Sequence, residues 1–235
     1  MASFGAPQVL QFSSPVSFLT YILRHHTHPS TLIVCASEDI YLQALLASLR
    51  LDTSSSPTAF EDGASQSTNT LLLHPTLHLM AVSRSVSIVF APTMFHLRAC
   101  LATYTPPLSP PSGLVAYNKP GINAPILAIL NLVTIHRHTS EYSAQGLSRS
   151  FALAIEAAAR NGLQLLLSEC KLDSANVEKD LDDMEDERTP WSDEVPVLKT
   201  SIRFGHEDRA WAGRTVEIRK LASSWFTFNA VNDLE

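Results

Sequence analysis

A chain of 235 residues and 25.8 kDa, 45% hydrophobic and only 17% charged, carries enough apolar material for one medium-sized core, which excludes a wholly disordered protein. No run of about 18 apolar residues occurs, so no membrane-spanning helix is expected, and an N-terminus reading MASFGAPQVLQF lacks the basic-then-apolar order of a secretory leader. The net charge of −6 is concentrated: residues 172–194 hold ten acids against Lys179 and Arg188, leaving fifteen bases and thirteen acids elsewhere.

In chain order, Phe18, Leu19, Ile22 and Leu23 form the stripe of a short amphipathic helix over 15–26. TLIVCAS (31–37) is a continuous apolar run and predicts a strand buried on both faces. Ser37 then caps a helix whose first turn holds Glu38 and Asp39, with Ile40, Ala44, Leu45 and Leu49 on one side. Residues 52–69 are rich in Ser, Thr and Asp and read as a flexible loop. SVSIVFA (85–91) predicts a second buried strand, followed from Pro92 by a helix with Met94, Leu97, Leu101 and Tyr104 inside. The segment 105–113 (TPPLSPPSG) is a Pro-rich connector, and LVAYN (114–118) has the pattern of a short strand.

A third buried strand is expected in PILAILNL (125–132) and a fourth in LQLLLSEC (163–170). Between them, Leu147, Phe151, Ala154, Ile155 and Ala158 recur at helical spacing, and Asn161-Gly162 supplies the stop. Residues 172–194 read as an acidic flexible loop, because self-repulsion opposes compaction. Past it, KTSIRFG, GRTVEIRKL and SSWFTFN alternate apolar and polar residues, predicting an antiparallel meander. The expectation is a single α/β domain over 1–235, a mostly parallel sheet flanked by helices with a C-terminal antiparallel meander.

Few residues point to chemistry. Cys35, Cys100 and Cys170 are widely spaced and odd in number, which fits buried thiols in a reducing compartment. His25, His26 and His28, and the pair His74 and His78, lack the accompanying acids and cysteines of a zinc site. His136 and His138, with Thr139, Ser140 and Glu141, follow the third strand where α/β ligands commonly sit, and offer a small-molecule site as one reading. No G-x-S-x-G elbow occurs. Local positive charge gathers at Lys199, Arg203, Arg209, Arg214, Arg219 and Lys220. Of these, Arg203, Arg209, Arg214, Arg219 and Lys220, with Trp211, are the candidate nucleic-acid contacts, since arginines beside an aromatic can meet phosphates and stack on a base.

The order ILAILNLVTIH, then TSEYSAQGLSRSFALAIEAAARNGLQLLLSEC, resembles the central half of the RecA-like ATPase fold of the recombinases and their paralogues. The resemblance implies that the first of these strands ends at the metal-binding position, occupied here by Asn131, and the second at a polar sensor position, occupied by Glu169. Glu169 is otherwise read as an ordinary exposed strand-end acid. No G-x-x-x-x-G-K-[ST] sequence occurs, and the turn after TLIVCAS offers Glu38 and Asp39 where phosphates would need amide and ammonium donors. The chain is therefore similar to divergent, P-loop-lacking recombinase paralogues of the Shu type. This implies a non-catalytic nuclear subunit without cofactor or metal, working beside other RecA-like subunits and contacting single-stranded DNA through the complex. The alternative is a RecA-like scaffold of the Elongator accessory subcomplex in tRNA modification.

Overall fold

The computed structural model describes residues 6–25, 29–54, 76–107, 125–172, 189–197 and 214–229. Six parallel strands form the main sheet: β1 (Gln8–Leu10), β2 (Ser30–Val34), β3 (Val86–Phe90), β4 (Ile126–Leu130), β5 (Gln164–Ser168) and β8 (Thr227–Asn229). They lie in the order β3-β2-β4-β5-β1-β8. β6 (Glu194–Pro196) and β7 (Thr215–Glu217) form a separate antiparallel pair.

Continuous apolar runs suit central strands because both faces are covered. Along β2, β4 and β5 alternate residues feed two cores. Ile33, Leu127, Ile129, Leu165 and Leu167 face one, while Leu32, Val34, Ile126, Ala128, Leu130 and Leu166 face the other. The second core is closed by α1 (Pro15–His25) through Phe18 and Ile22 and by α2 (Glu38–Ser54) through Tyr41, and α3 (Leu77–Ser83) packs beside α1. The first is closed by α4 (Met94–Ala102), α5 (Ala144–Arg160) and α6 (Ile218–Ala222), with Leu97, Leu101, Leu147, Phe151, Ile218 and Ala222 buried. Helices of connections running toward β3 lie on one face and those of connections running toward β8 on the other, as a uniform crossover hand requires.

The structure alters several expectations. β1 precedes TLIVCAS and was not expected; three residues are too few to show a period, and β1 is defined by pairing with β5 and β8. Among the described residues β3 is the last strand of the sheet rather than a fully buried one, and Ile88 is 41% exposed. The buried side of α2 is Tyr41 and Ala44, while Ile40 faces solvent. α2 continues through Ser54, beyond the expected start of a loop at residue 52.

The C-terminal meander reduces to the β6–β7 pair. EIRKL breaks into α6, and SSWFTFN ends in β8, which joins the main sheet parallel to β1. The end of the acidic segment is part of the fold: Pro190–Ser192 is a 3-10 turn with Trp191 buried in the first core. Glu217 stands opposite Glu194, a like-charge pair that weakens this short hairpin. Expected strands at 114–118 and in KTSIRFG, and most of the loops at 52–69, 105–113 and 172–194, lie outside the described residues. Among the described residues no helix is long and apolar enough to cross a membrane.

Candidate functional site

In an open parallel sheet, ligands enter at the carboxyl ends of neighbouring strands whose connections depart in opposite directions. Two such crevices exist. β2 and β4 diverge toward β3 and β5, and β1 and β5 diverge toward β2 and β8. Their mouths are formed by Cys35–Ser37, Asn131 and Thr134 in one, and by Gln11–Ser14, Glu169 and Cys170 in the other.

Asn131 ends β4 at φ 64°, in the left-handed region that Asn tolerates better than most residues. Its backbone N–H still donates to Ser168 O (2.8 Å). Its side chain spans to the next strand, with Nδ2 donating to Cys170 O (2.9 Å) and Oδ1 accepting from Cys170 N (2.8 Å). Both amide functions are thus spent on backbone. Asn131 thereby holds β4 to β5.

Glu169 corrects the expectation of an exposed strand-end acid, since it is only 8% exposed. Oε1 accepts from Val133 N (2.7 Å), and Oε2 accepts from Thr134 N (3.2 Å) and Thr134 Oγ1 (2.7 Å). The carboxylate therefore caps the 3-10 turn Thr134–His136, whose first amides have no partner within the turn. Burial pushes its pKa up to about 7, against the opposing pull of these three bonds and of Arg137. Desolvation is the larger influence because the group is nearly sealed from water.

The turn opening the sheet is Gln11–Ser14, not the Glu38-Asp39 turn, which follows the second strand. It contains neither Gly nor Lys. Phe12 fills it, with its ring centroid 5.4 Å from those of Phe18 and Tyr21, while Ser14 Oγ accepts from Ser17 N to cap α1. Nearby, burial raises the Cys35 thiol well above its usual range and the Cys170 thiol to about 12, so neither supplies a thiolate at neutral pH.

Behind the edge runs a buried polar chain. His136 is fully buried, with Nδ1 2.8 Å from Leu132 O and Nε2 3.0 Å from Ser150 Oγ. Arg98 Nε donates to Ser150 Oγ (3.2 Å), and its Nη2 donates to Gly146 O (3.0 Å) and reaches Glu141 (3.5 Å). Burial, with the Arg98 charge, lowers the His136 pKa and keeps the ring neutral. The network then places a proton on Nδ1 and directs the Ser150 hydroxyl toward Nε2. This serine–histidine pair has no exposed surface, so it pins α5 to the 3-10 turn rather than meeting a substrate. Gly146 allows the fit, because a Cβ there would collide with the backbone carbonyl of Glu141.

The same turn is clasped from outside. Asp193 Oδ2 accepts from Arg137 Nη2 (2.7 Å), Arg137 Nε (3.2 Å) and Tyr142 OH (2.7 Å). Asp193, Trp191 and Arg98 were not singled out by sequence reasoning. Only the lone tryptophan within an acidic run signalled that the run ends against the core.

Of the expected nucleic-acid contacts, Arg203, Arg209 and Trp211 lie outside the described residues. Arg214 precedes β7, its carbonyl accepting from Val197 N, and its side chain is exposed. Arg219 and Lys220 are exposed on α6, with the Arg219 guanidinium 5.2 Å from the Phe228 ring centre. The hairpin and α6 carry these three cations, not one continuous meander. No protein-family model matches the chain, and no similar curated protein is found.

Proposed function

We propose that this chain is a non-catalytic RecA-like subunit of a nuclear recombination-mediator complex, assisting recombinase loading on single-stranded DNA mainly through protein contacts. The observation that carries the reading is the state of the carboxyl edge. The Asn131 and Glu169 side chains are bonded to the chain's own backbone, and Phe12 occupies the first strand-to-helix turn. An edge filled by its own side chains suits a domain kept for assembly. The His136 loop gives less support to a small-molecule enzyme, because His136 is directed inward.

The edge of the sheet at β3 supports contact with other subunits. Leu77, Met80, Ile88 and Phe95 are exposed on α3, β3 and α4. Exposed apolar side chains on β3, the last strand of the sheet among the described residues, and on the helices before and after it are what a partner subunit would cover. Affinity purification of the tagged full chain from native cells tests the reading. Recombinase and recombinase-paralogue subunits are expected to co-purify, and a Leu77→Asp/Phe95→Asp variant that melts like the wild type should lose them. Recovery of Elongator subunits instead would overturn the proposal in favour of the tRNA-modification scaffold.

A further inference from the structure

A shallow groove of about 550 Å³ runs along the first turns of α5. Its floor is Ala144, Ser148 and Ala152, one residue per turn, and its walls are Trp225 and Val197. Small side chains on the floor leave the indole uncovered, and Trp225 is 38% exposed. Arg149 also lines the groove, 57% exposed, with a long 3.6 Å contact to Glu141, which faces Arg98 as well. Arg214, whose carbonyl accepts from the N–H of the groove residue Val197, is exposed, as are Arg219 and Lys220 on α6. The exposed carboxylates on those elements, Glu194 and Glu217, face each other at the far end of the hairpin from Val197.

A partly exposed tryptophan beside small residues, with Arg149 in the same groove and Arg214 bonded to its neighbour Val197, matches what single-stranded nucleic acid requires: an apolar surface for a base and positive charge for the flanking phosphates. We propose that this groove binds single-stranded nucleic acid, with one base stacked on Trp225 and the adjoining phosphates met by Arg149 and Arg214. The inference rests on the nucleic-acid contact in the reading above and gives it a location and a mode.

The test uses the purified full chain at low salt with a labelled oligothymidylate of about 16 nucleotides, an oligouridylate, and an abasic strand of equal length. Trp225→Ala should weaken oligonucleotide binding about ten-fold or more, and Trp225→Phe should restore most of it. Abasic-strand affinity should be the same for the wild type and Trp225→Ala, and should fall in Arg149→Gln. Either sugar supports the groove, and the tighter strand identifies the ligand. Unchanged oligonucleotide affinity in a folded Trp225→Ala variant, or no binding by the wild type, overturns the proposal. So does loss of a co-purifying protein in that variant with oligonucleotide binding intact, which would give the groove to a protein segment. Each of these leaves the mediator reading standing if recombination subunits still co-purify.

Discussion

Trp191→Ala is expected to lower stability by about 3–5 kcal/mol, the range for removing a fully packed aromatic from a core. Trp191 is 2% exposed, joins the core that α4, α5 and α6 close, and meets the Phe228 ring edge-on at 5.3 Å. It is the anchor by which residues 189–197 reach the body of the domain. Asp193 adds its clasp on Arg137 and Tyr142, and its carbonyl accepts from Ile218 N at the start of α6. For a domain of this size the loss corresponds to a fall in Tm of about 10 °C. Trp191→Phe, which keeps an aromatic in the site, should recover much of it. Thermal melting, with hydrogen exchange at 194–197 and 215–217, checks both size and place. A change below about 1 kcal/mol would mean that the end of the acidic segment is not part of the core.

Glu169→Gln should destabilise the protein by about 1–3 kcal/mol at neutral pH, because an amide keeps one acceptor oxygen but turns N–H groups toward donors now served by the second. The pH dependence is the sharper measurement. The folded-state pKa is about 7 against an ordinary 4.5, so the folded protein binds this proton more tightly than the unfolded chain. The corresponding stabilisation is fully present below pH 4.5 and is lost as pH rises through 7. Each unit of difference is worth about 1.4 kcal/mol, so the stability gap between wild type and Glu169→Gln should narrow as pH rises across that window. His136, whose folded pKa is lowered, acts in the opposite sense, losing stability as pH falls below 6.5, and does so equally in both proteins. A gap that stays constant from pH 4.5 to 7 would contradict the buried-carboxyl account.

What the sequence made legible follows from length and period. β2, β4 and β5 announce themselves because both faces are buried, leaving uninterrupted apolar runs. α5 shows a clean 3.6-residue stripe, and Leu147, Phe151, Ala154 and Ala158 are all buried. β1 carries no such signal, and without it the opening turn was placed one strand too late. β8 alternates like a strand with one wet face, yet its partner, β1, lies more than 200 residues away in the chain, a distance no local pattern encodes. The site was legible as positions and not as roles. Asn131 and Glu169 stand at the ends of the expected strands, but that they bond backbone rather than face solvent depends on the 3-10 turn between β4 and α5. Charge gave no sign that the described end of the acidic segment, residues 189–194, packs through Trp191 into the core.

Titration of the purified full chain with magnesium and ATP bears most directly on the reading of an edge given over to the chain's own contacts. The account predicts no saturable binding up to about 1 mM nucleotide. Tight, magnesium-dependent retention of ATP would contradict it, since the Asn131 and Glu169 side chains at that edge are already bonded within the chain.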